Sequence, residues 1–216
     1  YIFTLLITLC LTGVSFGQSP VITALVDATC SGGVPKMLEI YAEGTVDFSL
    51  YSLENQTNGN TTWGNSQSLA DFGVVTDEFV YLVKNSDLAV FNAEFPSLSS
   101  ANILVSNTVN YNGDDKVRII LDSDSSVIDQ YGTGGDGSGT AWEYTNGFAK
   151  RNNNTMGNSG DFTLANWSFS KGALSGLGSC NSAATFGSVV LVGSYTNATA
   201  SISNNAIADF STYPNP

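Results

Sequence analysis

The chain of 216 residues carries 19 acidic against 7 basic residues and no histidine, for a formal net charge of −12. Affinity for duplex nucleic acid or an anionic membrane rests on clustered Lys and Arg; the only dense basic pair here is Lys150 and Arg151, so both partners are disfavoured. Without histidine, Ser-His-Asp and Cys-His nucleophilic sites, His-ligated zinc and the commonest general base near neutral pH are all excluded.

Residues 1–17 hold no charge, run apolar through Ile2, Phe3, Leu5, Leu6, Ile7, Leu9, Cys10 and Leu11, and then turn small and polar. That is the pattern of a secretory signal, and it falls short of the roughly 20 apolar residues a membrane span requires. Ser15 and Gly17 supply the small side chains that signal peptidase reads, so the expected mature start is Gln18 and the expected destination is secreted or outer cell surface. Cys10 leaves with that segment. Cys30 and Cys180 remain as an even pair in an oxidising compartment, and a disulfide between them is expected.

Downstream, short β-rich runs alternate with turn clusters and no long 3.6-residue period appears. Residues 21–26 read as a first strand. Residues 36–53, KMLEIYAEGTVDFSLYSL, hold two alternating patterns joined by Glu-Gly-Thr, which predicts a hairpin of residues 37–41 and 46–53. Residues 78–83 form another run, with Phe79, Tyr81 and Val83 on one face. Residues 88–95 predict a short helix capped by Asp87 and stopped by Pro96. Strands follow at 103–105, 116–121, 127–131 and within 162–169, while the Asn- and Gly-rich stretches 55–68 and 132–139 read as loops. This spacing predicts an all-β sandwich of about seven to nine strands with little helix.

Two blocks carry a resemblance. Residues 36–41, KMLEIY, followed by 46–53, VDFSLYSL, resemble the lamin-tail domain pattern in which F-I-E-L-Y-N precedes V-D-L-S-G-Y-S-L. Residues 113–122, GDDKVRIILD, with 126–132, SVIDQYG, resemble the later hairpin of that family. The resemblance implies an immunoglobulin-like β-sandwich over roughly residues 20–182, of a kind that recurs in secreted bacterial surface proteins and beside extracellular nucleases and hydrolases. Leu50 departs from the pattern, which has Gly there, and no Asn-Pro turn follows the first strand. Residues 209–216, DFSTYPNP, resemble the opening strand of the C-terminal sorting domain read by the type IX secretion machinery of Bacteroidota. The expected organisation is therefore a signal over 1–17, a sandwich over 18–182, a linker or extra strand over 183–208 and the start of a sorting domain over 209–216.

Candidate chemistry is sparse, and the chain reads as non-catalytic. Paired-carboxylate glycoside hydrolysis is the one enzyme class left open, with Glu39, Glu43, Glu54, Glu78, Glu94 and Glu143 as raw material. Alternation places Glu39 opposite Leu38 and Ile40, as a solvated or cross-strand-paired acid. No cofactor is expected beyond calcium, for which Asp122, Asp124 and Asp136 are the first candidates among the clustered hard oxygen donors. Trp63, in a polar loop with Asn60, and Trp142 with Tyr144 are either contacts for an extracellular glycan or protein ligand or lids over the ends of the sandwich. The expected role is an adhesion or ligand-binding module, or a structural spacer beside a surface anchor.

Overall fold

The computed structural model describes residues 18–98 and 101–197. The expected signal over 1–17 and the motif at 209–216 lie outside the described residues. Among the described residues, β1 (Ser19–Cys30) and β2 (Val34–Glu43) pair antiparallel across a tight turn in which Gly33 N–H returns to the Cys30 carbonyl at 2.8 Å. Gly32 and Gly33 take positive φ in that turn, a conformation glycine adopts without steric cost. β7 (Phe79–Val83) joins β2, and α1 (Leu88–Glu94) carries the chain to β8 (Asn102–Val105), which pairs parallel with β7. With β11 (Gly147–Arg151) and β12 (Trp167–Ser170) the first sheet has six strands in the order β12-β11-β1-β2-β7-β8.

The second sheet holds β4 (Tyr51–Gln56), β5 (Ser66–Ser68), β9 (Lys116–Leu121) and β10 (Val127–Tyr131) in the order β10-β9-β4-β5. The two sheets enclose one core, with Ile22, Leu25, Leu38 and Ile40 from the first facing Leu53, Val117, Ile119 and Tyr131 from the second. The chain is thus an all-β sandwich.

The expected hairpin of residues 37–41 and 46–53 does not form. β2 already has β1 and β7 on its two edges, so it offers no free edge. The Glu-Gly-Thr turn is real, with Gly44 at φ +67° and Gly44 N–H on Asp77 Oδ1 at 2.8 Å, but it turns a corner between the sheets. β3 (Thr45–Asp47) pairs instead with β6 (Val74–Thr76), a 3₁₀ turn at Phe48–Leu50 buries Phe48, and β4 begins in the opposite sheet.

The outer face of the six-stranded sheet is covered as well. Met37, Tyr81 and Val83 pack there under Phe91 and Phe95 at α1 and under Leu174, Phe186 and Val190 of the C-terminal segment. Central strands buried on both faces account for the near-continuous apolar run of β1. Asp87 does not cap α1; it is buried and accepts from Lys36 N–H at 3.2 Å and Ser86 Oγ at 2.5 Å. The expected disulfide is present, joining Cys30 and Cys180 with 5.9 Å between their Cα atoms.

Residues 183–197, expected as linker or strand, instead form a strap over that outer face, with α2 (Gly187–Val190) at its start. Lys150 Nζ donates to Leu191 O at 2.8 Å, Gly193 N–H donates to Glu39 Oε2 at 2.6 Å, and Tyr195 Oη donates to Thr155 O at 2.6 Å. Glu39 therefore faces away from Leu38 and Ile40 as its alternation requires, yet it is fully buried, because the strap lies over it.

Candidate binding pole

The strands give the sandwich two poles. The folded chain enters and leaves at one of them: Ser19 pairs with Glu43 at the end of β2, and Asn197 Nδ2 reaches Glu43 Oε1 at 3.2 Å. The ten residues of β2 carry it roughly 30 Å to the other pole. There the 31–33 turn, residues 84–86 after β7, residues 106–115 between β8 and β9, the 57–65 loop and the 132–146 loop come together.

At this far pole a cleft of about 440 Å³ opens between the edge strands of the two sheets, β5 on one side and β8 on the other. Its lining is neutral, with carboxamides from Asn65, Gln67, Asn85 and Asn107 and hydroxyls from Ser66, Ser106 and Thr108. The walls are braced. Ser106 Oγ donates to Gln67 Oε1 at 2.8 Å and accepts from Thr108 N–H at 3.1 Å, while Asn55 Nδ2 holds the Thr108 carbonyl at 2.8 Å. At the rim, the exposed side chains of Asn65, Asn85 and Asn107 make no hydrogen bond within the described protein. Asn65-Ser66, Asn85-Ser86 and Ser106-Asn107 are three carboxamide-hydroxyl pairs at strand ends. That pattern was the one available sequence signal for the cleft.

Trp63 stands on the neighbouring surface. Its half-buried ring lies over the Arg118 guanidinium, 4.1 Å from the ring centroid, and Glu54 Oε2 fixes Arg118 Nε at 2.7 Å. Gly64 N–H and Asn55 O, 2.9 Å apart, tie the loop to β4. Asn60, at the exposed tip, donates to Thr57 Oγ1 at 3.3 Å.

Trp142 and Tyr144 are not at the surface, and the expectation that they contact ligand is corrected. Both are buried around Tyr131, with ring centroids 5.8 and 5.4 Å from it, and Tyr131 Oη donates to the Trp142 carbonyl. The loop before them folds tightly over the indole: a Cβ at Gly137 would sit 2.2 Å from Trp142.

The three calcium candidates are not brought together. Asp122 and Asp124 lie in the β9–β10 turn, and Asp122 N–H is held by Leu50 O at 2.9 Å near the chain-entry pole. Asp136 lies in the loop after β10, at the far pole, where Ser138 links it to Asp114. The six residues of β9 separate them by roughly 20 Å. Among the described residues no group of three or more His, Cys, Asp or Glu side chains is placed to hold a metal ion. Asp124 serves its own turn, accepting from Ser126 N–H at 2.9 Å, and the Ser126 hydroxyl first and this N–H second lower its carboxyl below the ordinary range.

Most of the glutamates proposed as raw material for hydrolysis are engaged. Glu39 holds Thr23 Oγ1 at 2.7 Å, Glu54 holds Arg118, Glu143 holds Lys171 Nζ at 2.5 Å, and Glu94 accepts from Phe186 N–H at 3.0 Å. Burial raises the Glu39 carboxyl above its ordinary value, against the hydrogen bonds from Thr23 and Gly193. The basic pair is engaged too. Arg151 is buried on Asp129, and Lys150 secures the strap. No helix among the described residues is long and apolar enough to cross a membrane. Comparisons with protein-family models, with curated proteins and with solved structures each return no match.

Proposed function

We propose that this chain is a non-catalytic, secreted or cell-surface β-sandwich module for adhesion or ligand binding, accessory to a larger exported protein, with its ligand seated at the pole away from its chain ends. The observation that supports this reading is the braced, neutral cleft between β5 and β8, whose rim carboxamides of Asn65, Asn85 and Asn107 are left without internal hydrogen bonds among the described residues. Loops held by a rigid scaffold are the usual place for recognition. The disulfide and the lack of a membrane-crossing helix among the described residues are compatible with an extracellular destination. The lamin-tail resemblance of residues 36–53 and 113–132 supports the accessory role, and the resemblance of 209–216 supports export by the type IX machinery.

A structural spacer is the second reading, favoured by the burial of Trp142 and Trp167 in the core. Against it, a domain whose ends both meet Glu43 adds little reach between its neighbours. The test is retention of beads bearing the chain from Gln18 on glycan- and protein-coated surfaces, compared with the variant Asn107→Trp, whose indole fills the cleft. Retention lost in the variant is expected; equal retention, or none, leaves the spacer.

A further inference from the structure

We infer that the cleft is a subsite for an uncharged oligosaccharide, and that a chain longer than the cleft crosses the β5 edge to stack on Trp63. This rests on the binding reading above and assigns its ligand class. None of the eight lining residues is ionisable, and the chain as a whole carries −12, so a polyanion meets no countercharge in the cleft and repulsion outside it. A carboxamide both donates and accepts, as does a sugar hydroxyl, and three rim carboxamides free of internal bonds can each engage adjacent hydroxyls. An extended peptide draws its specificity from pockets for alternate side chains, many of them apolar. Here Val105 is the only apolar side chain in the lining.

The register places the ring relative to the cleft. Gln67 and Ser66 both line the cleft, but Gln67 pairs with Leu53 on the inward side, whereas Ser66 pairs with Glu54 and so stands at the cleft's outward margin, the side on which Trp63 covers Arg118. A ligand leaving the cleft over Ser66 therefore arrives at the indole. Arg118 takes one face of that ring, which is partly exposed, and the Glu54–Arg118 pair braces it as a stacking platform requires. Both subsites are set before the ligand arrives, which reduces the ordering cost of binding.

The test is calorimetric titration of the chain from Gln18 with neutral oligosaccharides of increasing length, with acidic oligosaccharides and with a random peptide pool. The variants are Trp63→Ala, Asn107→Trp and the gentler Asn85→Ala with Asn107→Ala, each with its melting temperature recorded. The expected result is neutral-glycan binding that both cleft variants abolish and that Trp63→Ala weakens roughly tenfold for long chains while leaving short ones unchanged. Preference for the acidic glycans or the peptides, still lost in Asn107→Trp, overturns the ligand class and leaves the binding reading standing. Failure of every probe to bind in a cleft-dependent way overturns both.

Discussion

Asp129 of β10 and Arg151 of β11 form a fully buried ion pair, Nη2 to Oδ2 at 2.6 Å, that bonds one sheet of the sandwich to the other. The pair is held further on both sides: Ile22 N–H reaches Asp129 Oδ2 at 2.8 Å, Arg151 Nε reaches Ile22 O at 2.6 Å, and Trp167 lies 4.6 Å from the guanidinium. Removing one partner strands a charge in the core, so Arg151→Ala and Asp129→Ala should each lower stability by about 3–5 kcal/mol. Asp129→Leu combined with Arg151→Met should recover most of that loss. Urea denaturation of the three variants checks it, and single variants within 1 kcal/mol of the parent, on the order of a surface pair, would contradict a joint of this kind.

The disulfide closes a loop of 150 residues between Cys30 and Cys180. Cutting it by Cys30→Ser with Cys180→Ser frees the unfolded chain and should lower stability by about 4 kcal/mol. The melting temperature of the oxidised chain should fall on adding reductant, and that of the double variant should not respond.

The strap carries the folding unit past residue 182. A chain of residues 18–182 lacks Phe186, Val190 and Tyr195, all buried, and uncovers Met37, Tyr81 and Val83 on the sheet. Loss of one buried aromatic alone costs about 3–5 kcal/mol. The shorter chain should bind a hydrophobic dye and lose its sharp thermal transition, while residues 18–197 should melt cooperatively; equal melting curves for the two would count against the strap.

Glu39 gives stability a pH dependence. Burial raises its folded carboxyl above the ordinary 4.5, outweighing the bonds from Thr23 and Gly193 and the charge of Lys150. A raised carboxyl favours the folded state fully below its unfolded value and loses that contribution as pH climbs through the folded one. Glu39→Gln removes the titration. The parent should therefore lose stability relative to this variant as the pH rises above the ordinary 4.5, and a difference that stays constant with pH would show that the folded carboxyl is not raised.

Two glycines of one loop should answer differently. A Cβ at Gly137 meets Trp142 at 2.2 Å and Asp114 O at 2.6 Å, while at Gly135 it meets nothing within 4 Å. Gly137→Ala should destabilise by about 1–3 kcal/mol and shift tryptophan emission; Gly135→Ala should be near neutral.

Where local pattern alone decides, the sequence was readable. β9 and β10 begin and end where the alternation of residues 116–121 and 127–131 places them, because Val117, Ile119, Leu121, Ile128 and Tyr131 face one core. Alternation cannot say which strand a strand pairs with. The runs around Gly44 look like a hairpin, and only the prior occupation of both β2 edges sends Phe48 inward and β4 to the other sheet. β11, GFAKR, carries little apolar signal because its buried face includes Arg151, whose partner is 22 residues away. The cover over the outer face was not legible because Leu174 and Phe186 stand among small and polar residues, and Val190 lies in an apolar run of only four residues, 189–192, too short to mark an element. Trp63 could be picked out as a surface aromatic, whereas the cleft is assembled from the ends of three strands far apart in the chain.

With Ser19 paired to Glu43 in the sheet and Asn197 bonded to the Glu43 side chain, a few added residues could join residues 19 and 197. The chain is therefore suited to circular permutation, since its contacts do not depend on where it is opened. A permutant joined there and opened at Gly134-Gly135, where added side chains meet open space, should keep both sheets, the ion pair and the cleft in place while moving its ends to the opposite pole.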